Sequence, residues 1–182
     1  VSAALEMGAS VTLVSGPSNL SAPSGARIVN VSTAQEMFSA TLKEAEKGQD
    51  IFIGTAAVAD YTPEVKEPQK IKKEKEKLEI KMVSTQDILL AVANLQERPF
   101  TVGFAAETDN LEKNAKSKLV NKHLDMIAAN LVGVSGVGFG ADDNELLVFF
   151  GKEKSIIEKA SKPKVARSLL TLISDKYSEN KN

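Results

Sequence analysis

The sequence contains no cysteine and no tryptophan, and it has a single histidine among its 182 residues. The absence of cysteine excludes a disulfide scaffold, a thiolate zinc site and a cysteine nucleophile. One histidine, His123, excludes a histidine-rich metal site and leaves a single candidate for a Ser–His catalytic pair. His123 follows a predicted helix, where the helix dipole favours an imidazole, so we interpret it as a capping residue.

The chain also lacks an excess of charge of either sign. Its 23 basic and 24 acidic residues give a formal net charge of −1, which does not predict a cationic surface for nucleic acid. No apolar run reaches the length of about 18 residues that a spanning helix needs. The first residues show neither the basic nor the long apolar segment of an export signal. We therefore expect a cytoplasmic protein without nucleic-acid or membrane partners, folded as one domain over residues 1–182.

Short apolar runs alternate with amphipathic segments along the chain. The runs predict strands at residues 11–16, 27–31, 51–58, 78–83, 100–107, 126–132 and 145–150. The amphipathic segments predict helices after Thr33, from Asp87, from Asp109 and over residues 163–177. This alternation indicates an α/β protein with a Rossmann-like, doubly wound and mostly parallel sheet.

Ligands of such sheets bind beyond the carboxyl ends of the strands. That rule selects four places in this sequence: Gly16–Pro17, Ala59–Asp60, Ala106–Glu107 and Asn130. At the second place, in TAAVADY (residues 55–61), small side chains would let a ligand approach the backbone. The Asp60 carboxylate would accept a hydrogen bond from a ribose hydroxyl or a base amine. The alternative is an ordinary strand followed by a turn aspartate.

Lysines are concentrated in two parts of the chain. Residues 66–77 are rich in lysine and glutamate, a pattern that fits either a solvated loop or a flap whose lysine closes over phosphates. Lys118 and Lys122 lie one helical turn apart and share a face. Two such like charges favour either a bound polyphosphate or a solvated surface.

A glycine-rich run occupies residues 133–144 but does not fit the dinucleotide fingerprint that opens a helix. We interpret it as a turn cluster before the strand at 145. Asp142 and Asp143 in this run could contact Mg²⁺ only indirectly. No metal ligands are predicted.

Several segments, taken in order, resemble one family. They are GASVTLVSGP (8–17), TAAVADY (55–61), KIKK (70–73), VGFAAET (102–108), the pair Lys118 and Lys122, and IAAN (127–130) followed by GFGADDN (138–144). The sequence thereby resembles the phosphopantothenoylcysteine synthetases (phosphopantothenate–cysteine ligases), the synthetase half of the bacterial coenzyme A biosynthesis flavoprotein. The resemblance extends over nearly the whole chain.

The resemblance implies a two-step ligation. The carboxylate of 4′-phosphopantothenate attacks the α-phosphate of CTP, which forms an acyl-cytidylate and releases pyrophosphate. The amine of cysteine then displaces CMP and forms the amide. Mg²⁺ is implied by the triphosphate. The resemblance further implies a homodimer joined by a β arm near the lysine-rich flap, and a decarboxylase that is fused to the synthetase or associated with it.

The resemblance also assigns site residues. Lys70, the first lysine of KIKK, is expected to act on the phosphates and on the activated intermediate as the catalytic residue. Asp60 is expected to recognise the cytidine. In the loop that begins at Gln86, the family usually has proline in place of this glutamine, so the contact there is less well matched. The nucleotide-binding residues implied are Gly54, Thr55, Ala56, Asp60, Lys70, Gln86, Asp87, Ile88, Leu89, Phe104, Lys118 and Lys122.

The main departure from the family lies at the N-terminus. Family members begin with a strand and an SNxSSG-type segment ahead of the helix in which this chain starts, so we expect an N-terminally incomplete domain. A sheet without that strand would leave residues 11–14 and a neighbouring strand partly unpaired. Two alternatives to the ligase stay open: a non-catalytic nucleotide-binding and dimerisation module, and an NAD-dependent oxidoreductase, although the latter's glycine fingerprint is absent.

Overall fold

The computed structural model describes residues 1–72, 77–131 and 142–181. Lys73 of KIKK and most of the glycine-rich run therefore lie outside the described residues. The helices are α1 Ser2–Glu6, α2 Ala34–Ala45, α3 Ile88–Ala93, α4 Leu111–Asn121 and α5 Lys162–Lys181. The strands are β1 Thr12–Ser15, β2 Arg27–Asn30, β3 Ile51–Gly54, β4 Tyr61–Pro63, β5 Met82–Ser84, β6 Phe100–Glu107, β7 Met126–Leu131, β8 Asp143–Phe150 and β9 Glu153–Ser161.

The main sheet has five strands in the order β3-β6-β7-β8-β9. Its first three strands are parallel, and the connections into β6 and β7 pass through α3 and α4, which pack on the sheet as expected for crossover connections. Strands β8 and β9 run antiparallel to their neighbours. The Rossmann-like α/β class is confirmed, and the sheet is mixed because its last two strands form a hairpin.

Strands β1 and β2 form a separate parallel ladder. Among the described residues, this ladder shares no strand pairing with the five-stranded sheet, so one edge of β3 and one edge of β1 are unpaired. Helices connect the two parts. Glu6 of α1 forms an ion pair of 2.6 Å with Arg167 of α5, and α2 packs against α3.

The two faces of the main sheet carry two apolar clusters. Along β6, Phe100 and Val102 point to the cluster that α5 covers, whereas Ala105 points to the cluster beneath α4. This alternation follows from the two-residue period of a strand, because both faces of a central parallel strand are buried. The clusters place α5 on one face and α3 and α4 on the other.

Side chains at the helix starts explain where α2 and α3 begin. The Thr33 hydroxyl accepts a hydrogen bond from the Glu36 backbone N–H (3.1 Å), which confirms the predicted cap. Asp87 caps α3 through Leu90 N–H at 3.1 Å. Helix α4 begins after Asn110, whose φ of +48° is left-handed, and Asp109 is therefore not its cap.

The sequence expectations differ from the structure at four strands. The predicted strand at 51–58 ends at Gly54, and that at 78–83 is reduced to the three residues of β5. Strands β4 and β9 were not predicted. Within the described residues, no helix combines the length and the apolar character needed to cross a membrane.

Candidate functional site

Two glycines in register form a flat patch on the face that carries α3. Gly54 ends β3, and its partner on β6 is Gly103. The Leu89 side chain of α3 lies on this patch: a Cβ at Gly54 would lie 2.8 Å from Leu89 Cδ2. The Leu89 side chain therefore packs inward between α3 and the sheet, and it sets the distance between them.

A methyl group on this patch is expected to destabilise the protein. A Cβ at Gly103 would lie 2.7 Å from Leu124 Cδ1, and both residues are buried, so Gly103→Ala should cost about 1–3 kcal/mol of unfolding free energy. The matched control is Gly16→Ala, whose new Cβ would meet Met37 Cε at an ordinary 3.6 Å. Urea denaturation measures both. Equal stabilities of the two variants would show that the patch is not close-packed.

Thr85 joins the two segments on either side of the patch. Its hydroxyl donates to the Ala59 carbonyl oxygen (2.6 Å), and its backbone N–H donates to the Asp60 carbonyl oxygen (2.9 Å). These bonds bring the segment after β3 next to the segment that starts α3. The structure thereby brings residues 54–60 and 86–89 together, with the side chains of Asp60 and Gln86 exposed.

Asp87 performs two tasks at the start of α3. One carboxylate oxygen caps the helix, and the other accepts from Lys122 Nζ of the neighbouring helix at 2.9 Å. Lys122 is thus held at the start of α3 rather than extended into solvent. Its charge lies beside one of the two segments that Thr85 joins.

Lys118 is held by a different carboxylate. Glu107, the last residue of β6, accepts from Lys118 Nζ at 2.6 Å and, through its other oxygen, from Asn114 Nδ2 at 2.9 Å. Burial raises the pKa of the Glu107 carboxyl, but the bonds from Lys118 and Asn114, with the Lys118 charge, outweigh burial and hold that pKa below its ordinary value. Each of the two predicted phosphate ligands therefore has a carboxylate partner from another element.

Phe104 lies on the opposite face of the sheet from these lysines. It packs against the cluster that α5 covers, whereas Leu89 belongs with the cluster beneath α4. The period of two along β6 places Phe104 and Glu107 on different faces. A nucleotide that contacted both Phe104 and the two lysines would therefore have to pass over the carboxyl edge of the sheet.

The lysine-rich segment leaves the sheet through a short antiparallel ladder. Strands β4 and β5 pair at its base, and Lys81 Nζ reaches Glu64 at 2.9 Å just beyond them. Lys70 is exposed and forms no ion pair with any of the residues that the structure describes. The position of Lys70 relative to the glycine patch is therefore set by the β4–β5 ladder and not by an ion pair of the Lys70 side chain.

The single histidine directly follows Lys122, but its side chain contacts the C-cap of α3 rather than the residues at the start of that helix. His123 has a left-handed φ of +54° after α4, and its Nδ1 is 2.9 Å from Asn94 Oδ1. Beside it, Asp125 receives two hydrogen bonds from Arg98 (2.7 and 2.8 Å) and one from the buried Thr101 N–H (2.7 Å). This cluster joins the start of β6 to the start of β7.

The arrangement at the carboxyl edge suits the binding of an anion with several charges. It combines Lys118 of α4 and Lys122 at the end of that helix, small residues at the end of β3, and exposed lysines on the segment that follows β4. In the described ranges, no three of His, Cys, Asp and Glu lie close enough together to hold a metal ion. The positive charges at this edge are those of lysine ammonium groups.

Two contributors to the site received no role in the sequence analysis. Glu107 stood at a selected strand end, but the sequence carries no signal that its partner is Lys118. Thr85 had no signal at all, because its bonds to residues 59 and 60 depend on the β4–β5 pairing.

Comparison with known proteins identifies relatives over nearly the whole chain. The family model of the DNA/pantothenate metabolism flavoprotein C-terminal domain matches residues 1–177. The Coenzyme A biosynthesis bifunctional protein CoaBC of Vibrio cholerae is 49% identical over 174 residues, which are 94% of this chain and 43% of that protein. The chain thus spans less than half the length of this curated relative.

Solved structures share the fold. The crystal structure of the C-terminal domain of a Coenzyme A biosynthesis bifunctional protein CoaBC superposes with a TM-score of 0.78 at 31% identity, over 98% of this chain and 79% of that one. A Cab2 variant in complex with phosphopantothenate-cysteine, at 14% identity, shares the fold with a TM-score of 0.67 over 85% of this chain and 54% of that one. The chain therefore belongs to the family of DNA/pantothenate metabolism flavoprotein C-terminal domains.

Proposed function

We propose that this chain is the synthetase part of a cytoplasmic coenzyme A biosynthesis enzyme and ligates 4′-phosphopantothenate to cysteine at the expense of CTP. A carboxylate oxygen of 4′-phosphopantothenate attacks the α-phosphorus, and pyrophosphate leaves. The cysteine amine then attacks the acyl carbon, CMP leaves with the bonding electrons, and the amine loses a proton. The first step converts a poor electrophile into one with a good leaving group.

One observation carries the proposal. Two segments of the resemblance, residues 54–60 and 86–89, are tied together by Thr85, and Lys122 at the end of α4 pairs with Asp87 of the second segment. The relatives of the chain are named for coenzyme A biosynthesis. A site of this kind acts chiefly by positioning its substrates and by stabilising the charge that develops on the phosphates. Small side chains at residues 54–56 and lysine ammonium groups supply these two effects.

The proposed roles follow the geometry. Lys118 and Lys122 bind the β- and γ-phosphates, and Asp60 accepts from the cytosine or ribose. Phe104 packs beside the base, so the nucleotide crosses the carboxyl edge of β6 between the two faces of the sheet. Lys70 closes from the lysine-rich segment onto the α-phosphate, where negative charge increases during attack.

Magnesium belongs to the nucleotide in this proposal. Because the described residues form no cluster of three or more metal-binding side chains, Mg²⁺ enters as the MgCTP complex. It screens the triphosphate charge, and the lysines provide the remaining positive charge.

The test combines binding with product formation. Thermal unfolding of the complete protein, and of this chain, is measured with CTP, ATP and NAD, each with and without Mg²⁺, and CMP release is measured with 4′-phosphopantothenate and cysteine. We expect stabilisation selective for CTP and stoichiometric CMP. CTP binding without CMP would identify the non-catalytic module, stabilisation by NAD an oxidoreductase, and no nucleotide effect in the complete protein would refute the proposal.

We further propose a homodimer that pairs through the β arm, with a decarboxylase fused to the synthetase, as the bifunctional relatives suggest. The arm is formed by β4, β5 and residues 77–81 before β5. It carries exposed apolar side chains that a partner surface would cover: Tyr61, Leu78 and Ile80 are 62%, 63% and 55% exposed. Apolar side chains concentrated on an arm are typical of an interaction surface.

Ile80→Lys is expected to weaken this dimer at least about tenfold, because it places a charge where the partner would exclude water. Analytical ultracentrifugation at micromolar concentration measures the dissociation constant. Glu79→Lys is the matched control, since it introduces the same lysine at the neighbouring exposed position without removing an apolar side chain. A monomeric parent protein, or equal effects of both substitutions, would count against the arm as the interface.

A further inference from the structure

We propose that Glu107 is a positioning residue that holds the Lys118 ammonium at the carboxyl edge of the sheet, in place to receive a phosphate group of the nucleotide. This inference rests on the proposed function, because it concerns the same nucleotide site. It adds a residue to which the sequence comparison assigned no role.

Glu107 is fixed at both oxygens. Its side chain is only 13% exposed, one oxygen accepts from Lys118 at 2.6 Å, and the other accepts from Asn114 at 2.9 Å. Asn114 is itself anchored, since its Nδ2 also reaches the Asp109 carbonyl oxygen at 3.3 Å. A carboxylate held in this way has a fixed position relative to β6, and it transmits that position to the lysine.

The helix provides the second part of the geometry. Asn114 and Lys118 lie four residues apart on α4, so they share a face and approach the end of β6 together. Glu107 therefore joins a rigid strand to one turn of a helix. A lysine side chain has several rotatable bonds, and this contact removes much of the freedom that phosphate binding would otherwise have to remove.

The lysine keeps the capacity to bind a ligand while it is held. An ammonium group has three donors, of which Glu107 takes one, and the Lys118 side chain remains 44% exposed. A phosphate oxygen can bind a second donor without displacing Glu107. The pair thus holds the Lys118 ammonium at the edge of the sheet and leaves two of its donors free for a phosphate.

A pair on the other side of the same helix shows the contrast. Lys116 bonds Glu112 at 2.7 Å, with both side chains about half exposed and both on α4. The bond lies within α4, although Glu112 also reaches Lys154 of β9 at 3.4 Å. Residues 112 and 116 lie on the opposite side of the helix from Asn114 and Lys118. This pair is the matched control, because it has the same residue types and almost the same length.

The first experiment is a double-mutant cycle on CTP affinity in the complete protein. Glu107→Gln is expected to raise the dissociation constant for MgCTP roughly fivefold, since the amide holds the ammonium less firmly. In a Lys118→Met background, Glu107→Gln is expected to change it less than about twofold. Glu112→Gln is expected to leave it unchanged. Equal effects of Glu107→Gln with and without Lys118 would overturn the proposal, because a purely structural role is indifferent to the lysine.

The second experiment observes the lysine directly, without nucleotide. The ¹⁵N-ammonium resonance of Lys118, assigned by its loss in Lys118→Met, is expected to be visible in the parent protein and to broaden in Glu107→Gln through faster proton exchange. An unchanged resonance in Glu107→Gln would also overturn the proposal. If Lys118 is held but the parent protein binds no nucleotide, the proposed function fails, and with it the phosphate role of Glu107, while the ion pair itself stands.

Discussion

Replacing Lys70 with glutamine is expected to lower the turnover number of ligation at least about 100-fold, because the variant loses the cation that stabilises charge on the α-phosphate. Lys70 is exposed and forms no ion pair with the described residues, so the free energy of unfolding should not change. Affinity for MgCTP should fall less than about threefold, since Lys118 and Lys122 remain. Steady-state kinetics and isothermal calorimetry separate the two effects.

The matched control for Lys70 is two residues away. Lys72→Gln removes the same charge from the same exposed segment, and it should retain at least half of the turnover if position rather than charge is decisive. Equal losses in both variants would reduce the role to the net charge of the segment. Full activity of Lys70→Gln would remove this lysine from the mechanism.

Removing the carboxylate of Asp125 is expected to cause the largest loss of stability among the changes considered. Asp125→Ala leaves the buried Thr101 N–H without its acceptor and the Arg98 guanidinium without its bidentate partner. The orphaned buried donor, together with the lost bidentate hydrogen bonds to the part-exposed Arg98, costs about 2–3 kcal/mol. The measurement is the urea midpoint of unfolding, with CTP affinity of the folded variant measured separately.

Glu112→Ala provides the control for this prediction. It removes a carboxylate with two lysine partners, Lys116 and Lys154, but all three side chains are about half exposed. Pairs of that kind contribute about 0.5 kcal/mol or less. If Asp125→Ala lowers the free energy of unfolding no more than Glu112→Ala does, the hydrogen bonds that join β6 to β7 through Asp125 contribute little to stability.

The parts of the fold that the sequence predicts well are those with strong local signals. Strand β6 coincides with the predicted residues 100–107 because its unbroken apolar run is buried on both faces. Helix α2 begins where Thr33 predicts it, since a capping hydroxyl and Glu36 act within one turn. Neither depends on distant residues.

The strands that were predicted poorly depend on their partners. Strand β9 is an edge strand in which charged residues occur before and after Ile156 and Ile157, so its sequence lacks the apolar run by which strands were recognised. Residues 78–83 alternate as a strand should, but only Met82–Ser84 find a partner, in β4. Alternating apolar and polar residues make a segment suitable as a strand, but whether it pairs depends on a neighbouring strand supplied by the tertiary structure.

The candidate site shows the same division. Sequence motifs selected Lys118, Lys122 and Asp87, and the structure joins two of them directly in the Lys122–Asp87 pair. The motifs could not indicate that Phe104 and Glu107 lie on opposite faces of the sheet with α5 over one and α4 over the other, because packing decides which helix covers which face. The partners of the lysines were also inaccessible, since Glu107 and Asp87 come from different elements.

The β4–β5 ladder anchors the lysine-rich segment, so the effective concentration of the Lys70 ammonium group near the ladder can be calculated from the length of chain between them. The chain from the end of β4 to Lys70 comprises residues 64–70, which reach at most roughly 24 Å when fully extended. One ammonium confined to a sphere of that radius corresponds to a concentration on the order of 30 mM. An external amine added to a Lys70→Ala variant would have to exceed tens of millimolar before it could replace the missing side chain.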